Sequence, residues 1–107
     1  MKIVFDICIS FTGERPHVFM SFYKVLDLPA LPVVGTRVID GEASFSLDDV
    51  EFSFDTKESF YRIDVYEKFE LKNFGKSGVR RKYEAFINAG WQTSAHGRGL
   101  WPIIENE

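Results

Sequence analysis

The chain has a single cysteine, Cys8, among its 107 residues. One thiol cannot form an internal disulfide, and it cannot supply the set of thiolates that a structural zinc site needs. The two histidines, His17 and His96, are far apart in the sequence and lack the one-turn spacing of a zinc-binding helix. The sequence therefore predicts no metal and no other cofactor, and its single thiol fits a reducing compartment, which we expect to be the cytoplasm.

Long apolar runs are also missing. No stretch approaches the roughly 20 apolar residues that cross a bilayer, and the N-terminal residues 1–3 do not begin a secretory signal, so we expect no membrane partner. Positive and negative charges are nearly balanced, since 13 basic and 16 acidic residues give a formal charge of -3. Such a small excess does not by itself indicate a polyelectrolyte partner.

The sequence also lacks a recognisable catalytic motif. Residues 75–78 read Gly-Lys-Ser-Gly, but a phosphate-binding loop needs a further glycine at the position of Glu70. No glycine-flanked nucleophile elbow surrounds Ser94 near His96, and Cys8 has no nearby residue in the sequence that would make it a thiolate. We therefore favour a protein without catalytic activity, with an enzyme assembled from distant residues as an alternative.

What the chain does contain is alternation of apolar and polar residues. Residues 3–11 alternate with a period of two, which predicts a strand with one buried face. Residues 17–26 fit a strand or a helix, and we favour the strand because the run is rich in aromatic and β-branched residues. A short strand over 36–39 and a hairpin of 50–55 with 61–66, joined by 56–59, complete the predicted sheet.

One helix is predicted over 79–89, after a glycine-rich loop at 73–78. Ser77 is a candidate N-cap, and Gly90 suits the left-handed residue that ends a helix. The apolar residues of this helix recur at helical spacing and form one stripe: Val79, Tyr83, Phe86 and Ile87. We expect this stripe to pack on the sheet.

The predicted fold is α+β: a small curved antiparallel sheet of about five strands, of which an SH3-like barrel is one form, with one C-terminal helix. A ferredoxin-like sandwich with two helices is the alternative, and it requires residues 17–26 to be helical. We expect a single globular domain over residues 1–104 and a solvated tail over 105–107.

The leading functional hypothesis is a non-catalytic module that binds another protein, as a small inhibitor, an immunity-type protein or an accessory subunit. Basic and aromatic side chains dominate many protein interfaces, and the candidates of this kind are Lys76, Arg80, Arg81, Trp91, Arg98 and Trp101. Core packing is the default expectation for both tryptophans. Carboxylates within residues 40–55 suggest instead an acidic surface that a basic protein recognises.

The alternative hypothesis is binding of nucleic acid or another phosphoanion by the basic segment 72–82. Backbone amides at a helix start, together with Lys76, Arg80, Arg81 and Lys82, are suited to phosphate groups. Steep salt dependence of binding would be the signature of this function.

Overall fold

A computed structural model describes residues 1–13 and 18–93 of the chain. Its elements in chain order are β1 (Lys2–Thr12), β2 (Val18–Asp27), β3 (Arg37–Asp40), β4 (Ala43–Ser46), β5 (Val50–Asp55), β6 (Phe60–Glu70), α1 (Leu71–Asn88) and β7 (Gln92–Thr93). The predicted solvated tail, both histidines, Arg98 and Trp101 lie outside the described residues.

The predicted α+β class is confirmed, but the sheet is mixed rather than wholly antiparallel. Five strands form it in the order β5-β6-β1-β2-β7, and β3 pairs with β4 as a separate hairpin. β1 runs antiparallel to β2 and parallel to β6. Alternation along one strand does not reveal the direction of a distant neighbour, which is why the parallel pair was not predicted.

The sheet is open, which corrects the expectation of an SH3-like barrel. β5 and β7 lie at opposite ends of the strand order and do not pair with each other within the described part of the chain. The ferredoxin-like alternative is also wrong, because residues 18–27 form β2 and not a second helix. Ten register pairs join β2 to β1, so the favoured strand at this ambiguous segment is confirmed.

The helix begins earlier than predicted. α1 starts at Leu71 and is interrupted only at Gly75, where φ is 66° and ψ is 177°. Glu70 is the N-cap of the first helical segment, and its side chain makes no capping hydrogen bond. The second segment follows Gly75 directly, so Ser77 lies inside it and is not an N-cap. The predicted loop at 73–78 is wrong because packing overrides weak local propensity: Leu71 is buried, and the Phe74 ring meets the Phe11 ring at a centroid distance of 5.3 Å.

The C-terminal end of the helix is as predicted. Gly90 has a positive φ of 89°. Its amide donates to the carbonyl of Ile87 across 3.0 Å, and the amide of Trp91 donates to the carbonyl of Phe86, also across 3.0 Å. This pair of bonds is a Schellman motif, which satisfies two carbonyls that the helix itself leaves unpaired and turns the chain towards β7.

The core lies between one face of the five-stranded sheet and a layer formed by α1 and the β3–β4 hairpin. All five inward side chains of β1 are fully buried: Ile3, Phe5, Ile7, Ile9 and Phe11. The Phe86 ring of α1 stacks on Phe22 of β2 with a centroid distance of 4.6 Å and an interplanar angle of 7°. Ile87 is exposed, so the predicted stripe is wrong at that position. Among the described residues, the helix covers one face of the sheet, and no element covers the other.

Candidate functional site

The predicted basic contact residues that the structure describes, Lys76, Arg80 and Arg81, lie on α1, and carboxylates accompany part of the basic segment 72–82. Lys76 and Arg81 are exposed. Nε of Arg80 donates to Oε1 of Glu84 across 3.1 Å. Nζ of Lys72 lies 3.4 Å from Oε2 of Glu70. The carboxylates of Glu70, at the start of the helix, and Glu84, within it, therefore offset part of the positive charge of residues 72–82.

Trp91 is in the core, with only 3 % of its surface exposed. Its ring makes edge contacts with Phe45 and Phe86 at centroid distances of 5.5 and 5.3 Å. The indole Nε1 donates to Oδ2 of Asp40 across 3.0 Å. This placement agrees with the default expectation of core packing, and it leaves no free ring for a partner to contact.

Lys82 lies in a cleft between β6, α1 and the β3–β4 hairpin, beside Glu67. The cleft has a volume of about 600 Å³. Lys82 Nζ lies 4.0 Å from Glu67 Oε1 and 4.9 Å from the centroid of the Phe69 ring. Burial raises the pKa of Glu67, and burial lowers the pKa of Lys82, while each charge partly counteracts the shift of the other.

Within the described chain, Oε1 of Glu67 is buried without a hydrogen-bond partner, whereas Oε2 accepts the amide of Ser46 across 3.4 Å. A separation of 4.0 Å is too long for a direct hydrogen bond to Lys82. A signal for this pair existed in the sequence, because Glu67 occupies an inward position of the alternating strand 61–69, where the other residues are apolar.

The uncovered face of the sheet carries several large side chains. We call it the open face. Its exposed members on β2 and β6 are Phe19, Tyr23, Val25 and Tyr66, which are 43, 39, 54 and 43 % exposed. The antiparallel register of β1 with β2 and the parallel register of β1 with β6 place all four on the side opposite the buried row of β1.

A row of carboxylates crosses the open face. Asp6 of β1 pairs with Asp64 of β6, which pairs with Glu51 of β5. Arg62 joins two of them, since its Nη2 donates to Oδ2 of Asp6 across 2.7 Å and its Nε donates to Oδ1 of Asp64 across 3.2 Å. One guanidinium thus pairs with two of the three carboxylates, so the row is negative overall.

Two neighbouring groups respond to this negative charge. Glu51 is the main cause of a raised pKa at Tyr66, because a nearby carboxylate disfavours the phenolate. Burial, and secondarily Asp6, raise the pKa of Cys8. Cys8 is therefore held as a thiol at neutral pH, which argues against a nucleophilic role and supports the predicted role of a small packed residue.

No protein-family model matches the chain, and comparisons with curated proteins and with solved structures found no match. Across residues 1–13 and 18–93, no group of three or more histidine, cysteine, aspartate or glutamate side chains is arranged to hold a metal ion. The helix in that part of the chain is not long and apolar enough to cross a membrane. The surface chemistry of the described residues is therefore the basis for a functional proposal.

Proposed function

We propose that this chain is a non-catalytic protein-binding module whose open face contacts a partner protein with a basic surface. The observation that supports the proposal is the coincidence, on one uncovered sheet face, of exposed aromatic side chains with a row of carboxylates. A small inhibitor, an immunity-type protein or an accessory subunit would each use one such surface.

The apolar part of the open face supplies binding energy. Phe19, Tyr23 and Val25 all project from the same side of β2, where only Ser21 lies between Phe19 and Tyr23. Exposed aromatic side chains of this size are enriched among the residues that dominate protein interfaces. A contiguous apolar patch on a sheet face typically marks a contact site, whereas single exposed apolar residues do not.

The charged part of the open face selects the partner. Asp6, Glu51 and Asp64 are adjacent across three strands, and Arg62 offsets only part of their charge. Complementary charge across an interface speeds association and disfavours partners of the wrong sign. A partner that presents lysine or arginine towards this row is therefore favoured over an acidic protein.

The alternative function, binding of nucleic acid or another phosphoanion by residues 72–82, is less well supported. Ion pairs with Glu70, Glu84 and Glu67 accompany three of the basic side chains in that segment, those of Lys72, Arg80 and Lys82. The exposed aromatic side chains that could stack on bases lie on the open face and on β5, not beside residues 72–82. Those on the open face lie beside carboxylates that repel phosphate.

An affinity capture from the native cell tests the proposal when it compares wild type with two double variants. Tyr23→Ala with Phe19→Ala removes two open-face rings, and Lys76→Glu with Arg81→Glu reverses two exposed charges on α1 as the matched control. The captured protein is then purified, and its affinity for each variant is measured by calorimetry at two salt concentrations.

We expect a basic partner whose affinity falls roughly tenfold or more in the open-face variant and stays near wild type in the α1 variant. A partner that binds the open-face variant as well as wild type contradicts the proposal. Recovery of nucleic acid that is lost in the α1 variant and at high salt would move the function to residues 72–82.

A further inference from the structure

The strand β5 lies at one edge of the five-stranded sheet. β5 pairs with β6 on one side, and no described strand pairs with its other side. The amide of Tyr66 donates to the carbonyl of Asp49 across 2.9 Å, just beyond the N-terminal end of β5. Because hydrogen-bonded pairs alternate along an antiparallel ladder, Glu51, Ser53 and Asp55 bond towards β6. The backbone N–H and C=O groups of Phe52 and Phe54 therefore point away from the sheet.

The core-side face of β5 is apolar and incompletely covered. Phe52 and Phe54 lie on the side of α1 but remain 44 and 49 % exposed, because the covering layer does not extend over this strand. With Leu31 and Tyr61 they line a groove of about 320 Å³. The rings of Phe54 and Tyr61 pack at a centroid distance of 4.9 Å, so the floor of the groove is formed in the free protein.

The opposite face of β5 carries Glu51, Ser53 and Asp55, all exposed. These side chains continue the open face, on which Glu51 ends the carboxylate row. A strand added to β5 would therefore meet apolar side chains on one of its faces and carboxylates on the other. Period-two alternation of apolar and basic residues fits both faces at once.

We propose that β5 accepts an extended segment of the partner as an additional strand, with apolar residues directed into the Phe52–Phe54 groove and lysine or arginine directed towards Glu51 and Asp55. This inference rests on the proposed protein-binding function and names the kind of segment that is bound. Main-chain hydrogen bonds provide affinity in such strand addition, and the alternating side chains provide specificity.

A second copy of the chain is a poorer occupant of this edge. Antiparallel pairing of two β5 strands about Ser53 would place Glu51 of each copy opposite Asp55 of the other. Like charges in directly opposed positions destabilise such a pair, and charges on an edge strand are a common protection against self-association. The same carboxylates attract a basic strand.

A defined probe for this edge is a fluorescein-labelled heptapeptide that alternates lysine and valine. Its binding to the full chain is followed by fluorescence anisotropy, and amide hydrogen exchange identifies the strand it contacts. Two control peptides have glutamate in place of lysine or a methyl group on every backbone nitrogen. We expect only the lysine–valine peptide to bind, and we expect it to slow hydrogen exchange at the amides of Phe52 and Phe54.

Two variants separate the backbone contribution from the groove. Phe52→Pro removes both the outward N–H donor and the ring without removing a bond to β6, whereas Phe52→Ala removes the ring and keeps the donor. We expect a loss of affinity of roughly tenfold or more for Phe52→Pro and a smaller loss for Phe52→Ala. Circular dichroism checks that both variants fold, and hydrogen exchange on the wild type decides the question should Phe52→Pro unfold.

The outcomes distinguish this inference from the function on which it rests. Strand addition at β5 is overturned if the N-methylated or the glutamate peptide binds as tightly as the lysine–valine peptide, or if the lysine–valine peptide does not bind. Neither outcome changes the open-face result with the purified partner. Conversely, Tyr23→Ala should retain peptide binding within about twofold, because Tyr23 lies on β2, three strands away from β5.

Discussion

Trp91 and Asp40 are joined by a hydrogen bond of 3.0 Å from the indole Nε1 to the carboxylate Oδ2, although 51 positions separate them in the chain. The same oxygen accepts a hydrogen bond from Nζ of Lys24 across 2.7 Å. Asp40 ends β3, Trp91 follows α1, and Lys24 belongs to β2. One carboxylate therefore connects the β3–β4 hairpin to the helix and to the sheet.

Removing that carboxylate should destabilise the fold. We expect Asp40→Ala to lower the free energy of unfolding by about 2 kcal/mol, because it leaves a buried indole donor without its acceptor and removes the counter-charge of Lys24, whose ammonium then keeps only the carbonyl of Ala89. Urea denaturation followed by Trp fluorescence measures the change. Asp48→Ala, at an exposed carboxylate near the same hairpin, is the control and should change stability by less than about 0.5 kcal/mol. Equal effects of the two substitutions would contradict the connecting role of Asp40.

The Glu67–Lys82 pair should show energetic coupling. Glu67→Gln alone leaves the ammonium of Lys82 half-buried without its counter-charge, and Lys82→Met alone leaves a buried carboxylate. We expect the double variant to lose less stability than the sum of the single variants, with a coupling of about 1 kcal/mol in a double-mutant cycle. The exposed Lys72–Glu70 pair is the matched comparison, and its coupling should be close to zero.

Glu67 should also contribute to the pH dependence of stability. Its pKa is raised in the folded protein by burial, so between the carboxyl pKa of the unfolded chain and the raised folded value the folded state binds more protons. Stability therefore falls as pH rises through that window. Urea denaturation between about pH 4 and pH 7 should show a shallower decline for Glu67→Gln than for wild type. If stability changed with pH in the same way in the two proteins, burial would not raise the pKa of Glu67.

Tyr66 reports the electrostatic potential of the open face. Glu51 is the largest cause of its raised pKa. Glu51→Gln should therefore shift the phenol titration to lower pH, as followed by NMR of the Tyr66 ring. Glu58→Gln, in the turn between β5 and β6, removes a carboxylate that does not contribute to this shift and is the control. A Tyr66 pKa that is equal in the two variants would contradict a negative carboxylate row at this position.

The interruption of α1 depends on glycine at one position. Gly75 has a φ of 66°, a conformation that side chains with a Cβ rarely adopt. We expect Gly75→Ala to lower the free energy of unfolding by about 1 kcal/mol, although a Cβ there would meet no atom within 4 Å. Ser77→Ala, at an exposed position two residues later, should be neutral or slightly stabilising, since alanine favours the helix and Ser77 is not the N-cap. Thermal unfolding compares the two variants.

The elements that could be predicted from the sequence were those whose signal is local. The alternation over residues 3–11 indicates the buried face of β1, and Gly90 indicates the end of α1. β4 was not predicted, because its four residues are too few for periodicity to be decisive. The start of α1 was wrong because buried contacts of Leu71 and Phe74 outweigh the low helix propensity of a glycine-rich segment.

The candidate sites depend on contacts between strands that are distant in the sequence, and the periodicity of one strand does not predict such contacts. The carboxylate row requires β6 to lie parallel to β1, and only that register makes Asp6, Asp64 and Glu51 neighbours. Within residues 1–13 and 18–93, the edge at β5 is free because the sheet stays open, and one face is uncovered because α1 packs on the other. The sequence by itself determined which side chains alternate along each strand and where the helix ends, because those properties depend on near neighbours. Only the tertiary structure decided which strands meet and which face is left exposed, because long-range pairing depends on how the whole chain buries its apolar surface.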